Sequence, residues 1–137
     1  MHKHITMKSK STTLKEAEGK LKVILDGLKV SESEKHNILV AASEAVNNAI
    51  AHGNKNDPAK NVTLDVEYND KVIVISVEDE GGGFNPDSIP DPLLPENLLK
   101  PSGRGIHIIK SLMDRVDFEF TPRGTKVIMR LKIGELA

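Results

Sequence analysis

Ser43-Glu44-Ala45-Val46-Asn47-Asn48-Ala49-Ile50-Ala51-His52-Gly53 divides into two faces when wound as a helix at about 100° per residue. With the residues just before it, Ile38, Leu39, Ala42, Ala45, Val46, Ala49 and Ile50 fall on one broad arc, the pattern of a core face. Glu44, Asn47, Asn48, Ala51 and His52 fall on the other. Asn48 comes four residues after Glu44 and His52 four after Asn48, so the three stack along one stripe. An acid, an amide and an imidazole in line fit an ordinary wetted helix surface. They fit equally a row of oxygen and nitrogen ligands facing a nucleotide and its metal. The helix alone does not choose between them.

Upstream, Ser31-Glu32-Ser33-Glu34 has the form of a capping box, in which a hydroxyl and a carboxylate three residues on satisfy reciprocal amides. The helix is predicted from about Glu32 to Ala51, ended by Gly53-Asn54, with Asn56-Asp57-Pro58 continuing the loop. An earlier amphipathic helix is predicted from about Thr12 to Leu28, where Leu14, Ala17, Leu21, Ile24, Leu25 and Leu28 keep helical spacing. Residues 4 to 8 alternate weakly, as in a short edge strand.

Downstream, Val62, Leu64, Val66 and Tyr68 alternate with polar residues, Asn69-Asp70 turns the chain, and Val72–Val77 returns as a nearly continuous apolar strand. This is a hairpin whose second strand is predicted to be central, because near-continuous apolar character marks burial on both faces. Five of the seven prolines then fall between Asn85 and Ser102. A connection of that length is long for a compact domain, the usual mark of a lid or a disordered loop. Beyond it, Ile106, Ile109, Leu112, Met113 and Val116 mark a third helix. Phe118 and Phe120 suggest a strand, Thr121-Pro122-Arg123-Gly124 a turn, and Val127, Met129 and Leu131 a last strand. Helices of this amphipathic kind must cover one face of a sheet, which gives an α/β two-layer sandwich. Consecutive hairpins argue for a mixed, mostly antiparallel sheet under about three helices.

The 137 residues form a single domain, 1–137, large enough to bury a core. A net charge of −1 offers no long-range attraction for nucleic acid, and one Tyr, three Phe and no Trp offer few surfaces for base stacking. With no cysteine there are no disulfides, thiolate metal sites or Cys nucleophile. No apolar run has the length of a signal peptide or a membrane span, so a cytoplasmic location is expected.

Two glycine-rich stretches remain. Asp79-Glu80-Gly81-Gly82-Gly83 ends a buried strand. It suits a structural turn, and it suits a site where Asp79 accepts from the exocyclic amine of a base while glycines let the ring approach. Gly103-Arg104-Gly105 opens the third helix and suits either a hinge or amides exposed to phosphate. Neither stretch is a Walker loop or a dinucleotide fingerprint.

The series is therefore Glu-x-x-x-Asn on a helix, Asp-x-Gly-x-Gly after a strand, a proline-rich lid at about 85–102, Gly-x-Gly opening a helix, and Gly124-Thr125 before a final strand. It resembles the ATP-binding fold shared by sensor histidine kinases, type II topoisomerases, mismatch-repair ATPases and heat-shock chaperone ATPases. Within that fold, Ser43–Gly53 closely resembles the anti-sigma-factor serine kinases of bacterial stress-response and sporulation switches. The resemblance spans the chain from the first helix to the last strand.

The resemblance implies ATP and Mg²⁺ as cofactors. It implies that Asn48 coordinates Mg²⁺ and Glu44 acts as general base on an attacking hydroxyl. Asp79 would read the adenine amine with support from Thr125, and Gly81 and Gly83 would make room for the base. Gly103 and Gly105 would present amides to the phosphates, with Arg104 in reach of one, and Asn47 and His52 would flank the site. It implies a serine/threonine kinase acting on a small anti-anti-sigma-type antagonist protein and sequestering a sigma factor or other regulator. A homodimer is expected, for which the edge strand at the amino terminus offers pairing. Two further classes stay open: a nucleotide-gated binding module with little kinase activity, and the detached ATP-binding domain of a histidine kinase. His36 and His107 read as helix-surface residues, and His2 and His4 as residues of the edge strand.

Overall fold

The computed structural model describes residues 1–81 and 101–133, side chains within 101–106 excepted. Its elements are β1 (His2–Lys8), α1 (Thr13–Asp26), α2 (Glu32–Asn48), a π-helical turn (Ala49–Gly53), β2 (Asn61–Tyr68), β3 (Val72–Glu78), α3 (Pro101–Leu112), β4 (Arg115–Phe120) and β5 (Thr125–Lys132). The five strands form one sheet in the order β1-β2-β3-β5-β4. All four pairings are antiparallel, so the largely antiparallel sheet expected from consecutive hairpins is present.

The strand period decides which face is buried. Val62, Leu64 and Val66 of β2 are fully buried, as are Ile73 and Ile75 of β3 and Met129 of β5. The residues between them on β2 face outward and include Thr63, Asp65 and Glu67, none of which is buried. Leu21 and Leu25 of α1, Ile38, Ala41, Ala42, Ala45 and Val46 of α2, and Ile109 of α3 close the same core from above. The small residues Ala41, Ala42 and Ala45 let α2 lie close to its neighbours. β3 is central, as its apolar run predicts, with β1 and β4 at the two edges.

Local devices agree with the sequence in most places. Ser31 Oγ accepts from the Glu34 amide at 3.1 Å and Glu34 Oε1 accepts from the Ser31 amide at 2.9 Å, the reciprocal capping box. In the β2–β3 turn, Asn69 Oδ1 accepts from the amides of Lys71 and Val72 at 2.8 and 3.0 Å. β1 begins at His2, two residues before the expected start, and His2 and His4 both reach Asp65 Oδ1, at 3.1 and 2.6 Å.

Other boundaries differ as well. Val116, expected on the third helix, lies in β4, where its partner is Met129 of β5. The third helix begins at Pro101, ahead of Gly103-Arg104-Gly105, because proline fits the first helical position, where no amide is needed. Pro101 and Ser102 thus belong to α3, while the rest of the expected lid lies outside the described residues. The second helix does not run as one regular helix to Ala51: it is α-helical to Asn48 and widens into the π-helical turn at Ala49–Gly53. One residue is inserted into that turn, so the rotation that would stack His52 over Asn48 does not carry past Ala49. Among the described residues no helix is long and apolar enough to cross a membrane.

Candidate functional site

The site is organised by the end of β3. Asp79 comes directly after the last residue of that strand and is 6% exposed. Its backbone amide donates to the Thr125 carbonyl at 3.0 Å, so it is held against the start of β5. Its Oδ1 accepts from the amides of Gly81 and Thr125 at 3.0 and 3.1 Å. Among the described residues Oδ2 has no hydrogen-bond donor. Burial pushes the Asp79 carboxyl above its ordinary value, and the two amides pull it back in part.

Three glycines wrap this carboxylate so closely that side chains are excluded. A Cβ on Gly53 would stand 2.1 Å from Asp79 Oδ2, and one on Gly124 would stand 2.3 Å from Oδ1. A Cβ on Gly81 would meet the Gly53 carbonyl at 2.6 Å and Oδ1 at 3.1 Å. Gly53 comes from the π-helical turn, Gly81 from the loop after β3, and Gly124 from the β4–β5 turn. That turn is locked by the Thr121 hydroxyl, which accepts from the Gly124 amide at 3.0 Å.

A second layer ties these segments together. Asn54 is fully buried. Its Nδ2 donates to the Asn61 carbonyl at 2.9 Å and its Oδ1 accepts from the Glu80 amide at 2.7 Å. Glu80 Oε1 accepts in turn from the Asn61 amide at 2.6 Å. The sequence alone gives Asn54 no part beyond ending the second helix with Gly53, gives Asn61 none, and leaves Glu80 unremarkable. Its one signal is the polar run Asn54-Lys55-Asn56 beside a helix end, and Lys55 and Asn56 do take positive φ, 51° and 60°.

Of the residues expected at the site, Asp79, Gly81 and Thr125 are brought into direct contact, with Gly124 and Gly53 around them. Glu44 and Asn48 lie one turn apart near the end of α2, both half-buried, and their side chains make no hydrogen bond among the described residues. Asn47 and His52 are exposed. Glu44 also lines an open groove of about 630 Å³ between α1 and α2, with Lys15, Glu18, Gly19 and Lys22 opposite. Gly83 lies outside the described residues. Gly103, Arg104 and Gly105 sit in the first turns of α3; as its third residue Gly103 has an amide without a partner in the helical ladder, whereas Arg104 and Gly105, the fourth and fifth, donate within it. The side chain of Arg104 lies outside the described ones.

The donor set bears on what could be held here. Among the described residues no cluster of three His, Asp or Glu could hold a metal. An ion at Asn48 would therefore take most of its oxygen ligands from phosphate and water, the habit of Mg²⁺. At Asp79, Oδ2 is a carboxylate oxygen with no described donor, packed against backbone that carries no Cβ.

Residues 7–131 match the family described as Histidine kinase-like ATPase domain. The chain is 37% identical over 102 residues to an anti-sigma F factor of Clostridium perfringens, covering 71% of each chain. It is 39% identical over 103 residues to the anti-sigma F factor of Geobacillus thermodenitrificans, covering 72% of this chain and 69% of that one. Among solved structures it is similar to a Mycobacterium tuberculosis protein described as carrying RsbU and RsbW domains, at a TM-score of 0.72 and 18% identity. That match covers 97% of this chain and 32% of the other, and it bears on the fold. The chain belongs to the histidine kinase-like ATPase domain family and, within it, stands among the anti-sigma F factors.

Proposed function

We propose that this chain is an ATP-dependent serine/threonine protein kinase and a partner-switching regulator of the anti-sigma-factor kind. The observation that carries the reading is the setting of Asp79: Oδ1 pinned by two backbone amides, Oδ2 without a described donor, and three glycines around the carboxylate. Such a setting suits the exocyclic amine of adenine. Asn48 lies on the helix that runs into Gly53, so a nucleotide held at Asp79 has a magnesium-binding amide along the same element. Family membership supports ATP as the nucleotide.

ATP, when bound, supplies the phosphoryl group. Asp79 orients the base, Asn48 holds Mg²⁺ at the phosphates, and the orphan amides at the start of α3 receive phosphate oxygens. Glu44 takes the proton of an acceptor hydroxyl as its oxygen bonds to phosphorus and the bond to ADP breaks. A pure binding module has no use for a carboxylate one turn before Asn48, and a detached histidine-kinase domain needs a helical hairpin carrying a phosphoacceptor histidine, for which the residues before Ser43 offer only one earlier helix and a strand. The acceptor is a small anti-anti-sigma-type protein, and the sequestered partner a sigma factor or similar regulator, as the names of the relatives suggest. Two copies pair along the edge offered by β1, and the protein works in the cytoplasm.

Thermal melting with adenine nucleotides tests the site. Mg²⁺ with ATP or ADP at about 100 times the dissociation constant should stabilise the fold by about 2.7 kcal/mol. No response to any adenine nucleotide would overturn the reading. Capture of partners from the native cytoplasm with ATP and then ADP, followed by phosphosite mapping, tests the kinase and its acceptor.

A further inference from the structure

We propose that Asn54 is the positioning residue for base selection: it holds the loop that carries Asp79 in register with the helix that carries Asn48. The inference rests on the reading of the site as an adenine-nucleotide pocket. Asn54 bonds to three separate segments. Its backbone amide donates to Ala49 O at 2.8 Å and closes the π-helical turn after Asn48. Its Nδ2 reaches the first residue of β2, and its Oδ1 takes the amide of Glu80, the residue after Asp79. Glu80 closes the circuit through Asn61.

This circuit does more than join segments. Oδ1 of Asp79 is already pinned by Gly81 and Thr125, which leaves Oδ2 as the carboxylate oxygen with no donor among the described residues. Oδ2 packs against the backbone of Gly53, the neighbour of Asn54, where a Cβ would stand 2.1 Å away. Asn54 thus adjoins Gly53, which packs against Oδ2, and holds the amide of Glu80, the residue after Asp79. A shift of a few tenths of an ångström between these two segments re-aims Oδ2. Asn54 is also fully buried, so its loss leaves the Glu80 amide and the Asn61 carbonyl unpaired, with no solvent to replace it.

Affinity for Mg²⁺–ATP and for Mg²⁺–GTP, measured by calorimetry alongside melting temperature, separates positioning from plain support. The wild type should prefer ATP. Asn54→Ala and Glu80→Ala should each lower that preference about tenfold, the scale on which outer partners of a ligand-holding group act. Glu80→Gln keeps the acceptor for the Asn61 amide and should retain the preference. Melting temperatures that fall while the ATP-to-GTP ratio stays at the wild-type value would overturn the proposal. Should Asn54→Ala fail to fold, the contrast between Glu80→Ala and Glu80→Gln decides alone. A wild type that binds ATP but does not prefer it to GTP overturns the proposal while leaving nucleotide binding intact. A wild type that binds neither overturns the pocket reading and this inference with it.

Discussion

A Cβ on Gly53 would stand 2.1 Å from Oδ2 of Asp79, 2.3 Å from its Cγ and 2.8 Å from its Cβ. All three contacts are to the Asp79 side chain, so Gly53→Ala must displace the carboxylate that the site is built around. Overpacking of this kind costs about 1–3 kcal/mol. The expected outcome is a folded protein, lowered in stability by that amount, that has lost the thermal shift with ATP. A Gly53→Ala protein with the wild-type nucleotide response would show that Oδ2 does not take part.

Gly124→Ala should fail in the opposite order. Its Cβ would meet the Asp79 carbonyl at 2.5 Å and the Gly81 amide nitrogen at 2.8 Å, both backbone atoms that cannot rotate away. The β4–β5 turn or the end of β3 has to move, and the pairing of Thr125 with Phe120 moves with it. Denaturant unfolding should show a larger loss of stability for Gly124→Ala than for Gly53→Ala. Equal losses would mean that the turn yields more readily than its contacts imply.

The features legible in the sequence are those that depend on near neighbours. Alternation in β2, the continuous apolar run of β3, the capping box at Ser31 and the core arc of α2 are all set within a few residues, and each is found in place. Asp79 stands out only through the family resemblance, because a carboxylate before spaced glycines suits a structural turn as well as a base-binding site. Gly53 read only as a helix stop, yet its missing Cβ serves the carboxylate of Asp79, far along the chain, which no local pattern reveals. Asn54 was invisible for the same reason: its partners are Asn61 and Glu80, and its burial is decided by tertiary packing. The π-helical turn escaped because inserting one residue leaves the apolar arc of α2 unchanged and only rotates the residues beyond it.

Asp79→Asn separates stability from binding through pH. Burial raises the folded-state value of the Asp79 carboxyl above its unfolded one. Its contribution to stability is therefore present below the unfolded value and is lost as pH rises through the raised folded value. Asparagine keeps an oxygen for the Gly81 and Thr125 amides and carries no charge to desolvate. Without nucleotide, Asp79→Asn should gain on the wild type as pH rises through and above the carboxylate range, then level off. It should also lose the stabilisation by ATP, because its NH₂ now faces a donor. Chemical denaturation across pH, with and without ATP, checks both; a wild type that overtakes the variant toward neutral pH would reverse the assigned cause.

Glu44→Gln addresses whether the nucleotide site is an engine or a clasp. Glu44 and Asn48 are four residues apart on α2, and neither side chain is held by another described residue. Glutamine keeps the size and the helix but cannot take a proton from a hydroxyl. Positioned general bases contribute about 10²–10⁴-fold to rate. Transfer of labelled phosphate to the captured acceptor protein should fall by at least about 100-fold. ATP affinity by calorimetry should stay within about threefold, because Asn48 and Asp79 are untouched. Equal loss of both would place Glu44 in nucleotide binding instead. Unchanged transfer would leave its side chain to the groove it shares with Lys15 and Lys22.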